Sequence, residues 1–451
     1  MNIFDQLIIP PTADHTEMLN IFLVFSLLLF IPFSGIILGS SVFAYIFNFL
    51  GRKHVNSIYQ RFAKDILDKL IISLSAGIGI VVVPVLSVTF VYAQMLWGAN
   101  VISVGVLLLA SIFYTAGVIL LYRYKHSMKA VSVIESFKKM VGKDAKLPQD
   151  IESYEDSAKT VKKQSGFSGM FCLLTATFLF AGATTLSEDP SQWSVVTNIL
   201  GLFVLSDVAI NFTYLFLASL SISSAAILYF FFIWQGGIKN MTEDYKKLVL
   251  RFSVTTALIT TVLLPLFIII EFVMTPQAAM SKAVFIYTGL ALVSFLLVCN
   301  FLYAIIKNSE VKYSTAAFFV LILAFSFVII KEQVTFANAL QKHLITVNHV
   351  ADSLEAAHFP KETKVVGLTG EQIYTQKCSA CHKFDQKVTG PPYDQTVPKY
   401  NGDVNKLAAF IYNPTKVDPG YPAMPNQGIS MKEAQSVAQY LIDQVQKQTG
   451  K

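Results

Sequence analysis

The residues of this 451-residue chain best suited to chemistry are Cys378, Cys381 and His382, in the run Lys377-Cys378-Ser379-Ala380-Cys381-His382. Two thiols three positions apart lie about one helical turn apart. They can reach the two vinyl groups of one porphyrin, while the adjacent imidazole presents a nitrogen to the iron from the same side. This is the C-x-x-C-H attachment signature of c-type haem. Other uses of a C-x-x-C pair make different demands. A structural zinc needs two more Cys or His ligands nearby, and none follows in sequence. A thioredoxin-like dithiol sits in a βαβ pattern, which is absent here. We therefore expect one covalent haem c, attached at Cys378 and Cys381, with His382 as an axial iron ligand. The other two cysteines, Cys172 and Cys299, lie in apolar runs and read as buried, inert thiols.

Several motifs flank this site. Gly370-Glu371-Gln372-Ile373-Tyr374 precedes it, and Gly390-Pro391-Pro392-Tyr393 and Tyr421-Pro422-Ala423-Met424-Pro425 follow it. Residues 430–446 have an amphipathic period, with Ala434, Val437, Ala438, Leu441 and Ile442 on the apolar side and Ser430 as the N-cap. Together these motifs resemble the class I cytochrome c family over residues 367–446. The resemblance implies an N-terminal helix leading into the haem motif and a C-terminal helix closing the domain. It also implies a proline loop (Pro391, Pro392) whose carbonyl accepts from the proximal imidazole, a hydrogen bond that tunes the ligand. Finally, it makes the Tyr421–Pro425 loop the carrier of a distal methionine, Met424. Met431 competes for that role but opens a helix and lacks flanking prolines. A His/Met iron is six-coordinate and of relatively high potential. It has no open position for substrate and suits electron transfer.

The rest of the chain must position this domain. The composition is 54% hydrophobic and 14% charged, against about 25% charged in soluble domains, so most of the chain belongs in lipid. Apolar runs long enough to cross about 30 Å of hydrocarbon cover residues 18–50, 70–93, 101–122, 167–186, 212–234, 252–274, 283–306 and 314–330. Helices satisfy their own backbone groups in lipid, so these runs are helical. Residues 191–211 read as an interfacial helix leading into the fifth span rather than a ninth span. Pro84 and Pro265 are expected to kink the second and sixth spans. The first residues lack the basic n-region of a cleavable signal peptide.

The basic residues alternate between loops. Arg52, Lys53, Arg61, Lys64 and Lys69 follow the first span, a run from Arg123 to Lys163 follows the third, Lys239 to Arg251 follow the fifth, and Lys307 and Lys312 follow the seventh. Of the intervening loops only one holds a cation, Lys282. The positive-inside rule puts the basic loops in the cytoplasm and both termini outside, where haem c is attached in bacteria. The net charge of +6 therefore reflects topology and not nucleic-acid binding. The expected fold is all-α: a polytopic bundle of about eight spans (1–332), a helical extension and linker (333–366) containing Pro360, and a monohaem cytochrome c domain (367–451).

Haem b between spans needs histidines at mid-membrane depth. The histidines are His15, His54, His126, His343, His349, His358 and His382; none has that depth. His343, His349 and His358 read as solvated side chains on the extension. The run from His15 to Asn48, with Leu29-Phe30-Ile31-Pro32 and Ile36-Ile37-Leu38-Gly39, together with Asn211–Ser219 and Tyr245–Arg251, resembles subunit I of bd-type oxidases over residues 1–274. The departures are Tyr214 where that family places a ligating histidine in the fifth span, no carboxylates in the third, and no quinol-loop segment after the sixth. Haem d, oxygen reduction and quinol oxidation are therefore not carried over, and haem b or d is not expected. His15 is the one residue of this part that remains as a candidate haem ligand.

Glu271 in the sixth span and Asn300 in the seventh are the intramembrane polar groups that stand out. Glu271 has two readings, a functional intramembrane carboxylate or a snorkelling or partner-paired one a few residues from the interface, and Lys331 and Glu332 read as interface anchors. The expected role is a non-catalytic electron-transfer subunit in the bacterial cytoplasmic membrane. Its partners would be other membrane subunits (among them a catalytic bd-like one), a soluble periplasmic carrier and lipid. A cytochrome c-fused bd-like oxidase or quinol dehydrogenase is the alternative. It would need further cofactors in the membrane part. A transporter or scaffold, the third class, would show broken helices and paired charges.

Overall fold

The computed structural model describes residues 7–53, 57–71, 73–141, 148–308, 310–358 and 368–449. His54, Lys143, Lys146 and the link 359–366 with Pro360 lie outside the described residues, as does the side chain of His358. The chain divides into two compact units, Met1–Leu354 and Glu355–Lys451, and no strand occurs among the described residues.

Eight helices of the structure are long and apolar enough to cross a membrane. In chain order the helices are α1 (Ala13–Lys53), α2 (Ser57–Leu70), α3 (Leu74–Met95), α4 (Ser103–Val141), α5 (Gln149–Glu188), α6 (Ser206–Phe232), α7 (Glu243–Met274), α8 (Lys282–Asn308) and α9 (Ser314–His358). All but α2 are spans. Their outer faces expose rows of large apolar side chains such as Ile259, Val262, Leu266 and Ile269 on α7. In a multi-pass membrane protein such rows face lipid, where exposure costs nothing.

Helices α1 and α6 cross on small residues. Gly35 and Gly39 on α1 face Ser219, Ile222 and Ser223 on α6, and the Ser223 hydroxyl donates to the carbonyls of Gly35 and Ile36 at 3.2 Å each. With no apolar driving force between helices in lipid, such close backbone approach is what associates them. A Cβ at Gly39 would fall on the Ser219 carbonyl and the Ser223 hydroxyl. Gly39→Ala is expected to lose about 1–3 kcal/mol through overpacking, read as a lower unfolding midpoint in detergent. Gly79→Ala, where nothing lies within 4 Å of the added methyl, is the control.

Three elements differ from expectation. The second span is interrupted by a π-turn, Ile78–Val82, directly before Pro84, which then occupies the first turn of the following α-helical segment. Proline lacks an N–H and is tolerated there, so the irregularity is a π-bulge rather than a simple kink. Residues 191–211 do not form an interfacial helix. Two short 3-10 turns, Pro190–Gln192 and Ile199–Phe203, precede α6, which already includes Asn211. Between the first two spans, α2 is strongly amphipathic and packs on α1 through Phe62, Ala63, Ile66 and Leu67, all buried.

Lys331 and Glu332 are not interface anchors. The Lys331 side chain is 2% exposed, and its ammonium lies 2.8 Å from Glu271 and 2.5 Å from Glu332. A lysine that cannot reach water must be paired, and Glu271 is that partner, tying α7 to α9. His343 is also not a solvated side chain. It is half-buried, meets Trp193 edge-on at 5.3 Å, and its Nε2 is buried without a hydrogen bond. His349 is exposed, as expected. Cys172 and Cys299 are half-buried rather than fully enclosed.

The second unit is a small helical domain. Helix α10 (Gly370–Ile373) runs directly into a π-turn, Tyr374–Cys378. Short α11 (Tyr393–Thr396), α12 (Val404–Tyr412) and long α13 (Met431–Thr449) follow. Helix α13 starts at a reciprocal cap. The Ser430 N–H donates to the Glu433 carboxylate at 2.7 Å and the Glu433 N–H donates back to the Ser430 hydroxyl at 3.3 Å. Burial along its inner face follows the sequence period: Ala434, Val437 and Ala438 have no exposure and Leu441 has 1%.

Candidate haem-binding site

The site starts at α10. Thr369 and Gln372 form a capping box at its N-terminus, which fixes where the helix begins. Its last turn opens into the π-turn that delivers Cys378, and the Cys381 and His382 N–H groups both donate to the Cys378 carbonyl, at 3.1 and 3.0 Å. The turn places the two thiols in different surroundings. Cys378 is buried with Ile373, Val437 and Leu441 in one core, and Cys381 is exposed. Burial pushes the Cys378 thiol up from its ordinary value, partly offset by a hydrogen bond with Tyr393. Burial likewise raises the Tyr393 phenol.

His382 is held from three sides. Its Nδ1 lies 2.9 Å from the Pro391 carbonyl oxygen, so Nδ1 carries the proton and donates, and the Nε2 lone pair is left for a metal. The Tyr393 ring stacks on the imidazole at 5.1 Å and 21°. The third side is Gly390, whose N–H donates to the Cys381 carbonyl at 2.9 Å. A Cβ there would lie 2.6 Å from both ring nitrogens and closer still to Cε1. Pro391 is half-buried and Pro392 buried. Tyr374, Phe384, Tyr393 and Tyr440 form an aromatic cluster at 5.1 to 6.4 Å that joins the motif to α13.

Tyr421 and Met424 lie on the irregular stretch before α13. Met424 is half-buried, whereas Met431 is 41% exposed in the first turn of α13. Tyr421 lies under the Lys387 ammonium at 4.7 Å. His15 is exposed near the start of α1, with its N–H on the Thr12 hydroxyl at 3.4 Å. The structure brings together Cys378, His382, Pro391 and the previously unassigned Gly390 and Tyr393. Sequence reading missed Gly390 as a steric requirement, although a glycine two positions before a buried proline was a visible signal.

These residues fit a covalently held haem. Two free thiols flank one turn, one imidazole is oriented with its metal-binding nitrogen free, and the position against the ring is reserved for hydrogen. Among the described residues no group of three or more His, Cys, Asp or Glu could complete a metal site of the zinc type. Gly390→Ala is expected to tilt the imidazole off its Pro391 bond and lower haem incorporation several-fold. The check is haem absorbance per polypeptide, with Gly289→Ala, where nothing lies within 4 Å of the added methyl and the backbone is helical, as the control.

Such a constellation in a small all-helical domain defines a c-type cytochrome. Comparison with known proteins agrees. Residues 367–441 match the family described as cytochrome c oxidase, cbb3-type, subunit III. The chain is 33% identical over 78 residues to cytochrome c-551 of Azotobacter vinelandii and to that of Pseudomonas denitrificans, covering 16% of this chain and 95% of each relative. It is 34% identical over 78 residues to cytochrome c-551 of Pseudomonas aeruginosa, covering 75% of that protein. No solved structure matches the chain. Through its C-terminal domain the chain belongs to the cytochrome c family, and with its eight apolar helices it is a membrane-bound member that implies haem c and electron transfer.

Proposed function

We propose that this chain is the electron-transfer subunit of a respiratory membrane complex, passing single electrons through one covalent haem c on the outer face of the bacterial cytoplasmic membrane. Cys378 and Cys381 would hold the haem covalently, and His382 and Met424 would ligate its iron. Haem iron supplies one-electron redox chemistry when bound. The Pro391 carbonyl keeps Nδ1 of His382 protonated and raises the basicity of the ligating nitrogen. Tyr393 and Gly390 fix the plane of its ring. Cys378 and the aromatic cluster exclude water from one side. The alternation of basic loops supports a topology with both termini outside, the side on which haem c is attached. Partners are the other membrane subunits of the complex, among them a catalytic one of bd-like type, and a periplasmic carrier.

The observation that carries this reading is the 2.9 Å bond between His382 and Pro391 beside the two free thiols. A pyridine haemochrome spectrum tests it. One haem c and no haem b per chain supports a relay whose membrane part is structural. Stoichiometric haem b would make His15 the first ligand to replace and move the fused-oxidase reading forward. Met424→Ala is expected to lose six-coordination and to lower the midpoint potential by more than about 59 mV, the one-electron equivalent of a tenfold change. Met431→Ala should leave the potential unchanged. The reverse pattern would assign the distal position to Met431.

A further inference from the structure

Away from the cytochrome domain, α3, α5, α6 and α9 enclose a cavity of about 50 Å³ lined by Tyr92, Glu188, Asn211, Tyr214, Glu332 and Gln333 among others. Glu332 is bonded to Lys331, which also holds Glu271. Glu188 lies within electrostatic reach of Glu271, Lys331 and Glu332, and has no ion-pair partner among the described residues. The titratable groups that meet here are therefore Tyr92 on α3, Glu188 on α5, Tyr214 on α6, Glu271 on α7, and Lys331 and Glu332 on α9. Helix α1 brings only Leu27 and Ile31 to the cavity wall.

Two independent features ask for a ligand. The first is charge. Two carboxylates, Glu271 and Glu332, contact the one ammonium and Glu188 lies within electrostatic reach, which leaves the cluster two negative charges in excess if all ionise; the cavity that Glu188 and Glu332 line has walls that include Phe180, Phe325, Val328, Ile329 and Phe336. Isolated charge in such surroundings is strongly disfavoured, and carboxylates respond by taking up protons. The second is Tyr214. It lines the cavity, is 6% exposed, and its hydroxyl is buried without a hydrogen-bond partner. Buried hydroxyls are almost always bonded. The space decides the ligand: about 50 Å³ holds a few waters at roughly 10–15 Å³ each, and falls far short of the roughly 300 Å³ that organic ligand pockets begin at.

We propose that this cavity is a hydrated proton-binding site, in which Glu188 and Glu332 share an exchangeable proton through water bonded to the Tyr214 hydroxyl, with Lys331 as the fixed counter-charge. Loading is a proton transfer from hydronium to carboxylate, giving a neutral carboxyl group and water, with no change of oxidation state. The site does not depend on the haem.

The test is infrared difference spectroscopy of the full-length chain in lipid nanodiscs, titrated across neutral pH in H2O and D2O. The wild type should show a protonated-carboxyl C=O band at neutral pH that shifts in D2O. Glu188→Gln or Glu332→Gln should remove or halve that band. Tyr214→Phe deletes only an unpartnered hydroxyl and should fold, and it should shift both the band and its pH midpoint. Absence of any such band in the wild type would overturn the proposal, as would a band unchanged in all three variants.

Discussion

Replacing Cys378 and Cys381 together with serine should strip the chain of covalent haem, so that haem staining of the denatured polypeptide falls to background. The thioether is the only link that survives denaturation, and a serine hydroxyl does not form it. The single variants should differ. Cys378 is 5% exposed and sits in the core with Ile373, Val437 and Leu441, whereas Cys381 is exposed. Cys378→Ser therefore also buries a hydroxyl where a larger, weakly polar thiol packed, and Tyr393 is then its one visible partner. It should lower the stability of the domain more than Cys381→Ser. Without haem the domain keeps only a small core of its own. Domains of this size are marginal without a covalent or metal staple, so the double variant should become sensitive to proteolysis within residues 368–449 while the membrane helices stay intact. Cys172→Ser and Cys299→Ser should keep full haem content. Haem that remained covalently bound in the double variant would place attachment elsewhere and remove the basis of the assignment.

The sequence made some of this visible and hid the rest for physical reasons. Apolar runs are legible because a span must be continuous in hydropathy, and the structure has eight such helices. The C-x-x-C-H run is legible because covalent chemistry fixes its spacing. Helix α2 was hidden because an amphipathic segment such as Ser57–Leu70 has no net hydropathy, only a period. The π-turns at Ile78–Val82 and Tyr374–Cys378 were hidden because one extra residue in a helix leaves no compositional mark. Gly390 and Tyr393 escaped because their roles arise from a chain reversal that brings residues eight and eleven positions after His382 back onto its ring. Lys331 reads as an anchor in the sequence because it lies near a span end, and position along the chain does not reveal access to water. Whether a lysine snorkels or is enclosed depends on which neighbours pack around it, and Glu271 is sixty residues away in sequence.

Lys331→Met carries the largest stability change expected in the membrane part, a loss of about 3–5 kcal/mol, because it removes one partner of a buried pair and leaves the other charged. Methionine is close to lysine in length and fills the space, so the loss is electrostatic rather than a cavity effect. Lys331 is enclosed, and Glu271 and Glu332 each keep 27% of their side-chain surface exposed in the isolated chain. The lysine therefore gives the two carboxylates their closest compensation, and without it both must find water or take up protons. Adding Glu271→Gln and Glu332→Gln to Lys331→Met should recover most of the loss, since an apolar or neutral replacement of a whole buried ion cluster is often close to neutral. The measurement is the thermal midpoint of the full-length chain in detergent, followed by tryptophan fluorescence between mildly acidic and mildly basic pH. A Lys331→Met protein as stable as wild type at every pH would show that the pair is not what joins α7 to α9. The other ties of α9, among them the Gln333 amide to Asn20 at 2.9 Å, the Asn338 amide to the Ala279 carbonyl at 2.9 Å, the Thr16 hydroxyl to Asn348 at 3.1 Å and the stacking of Phe336 on Tyr92, would then be what holds that helix.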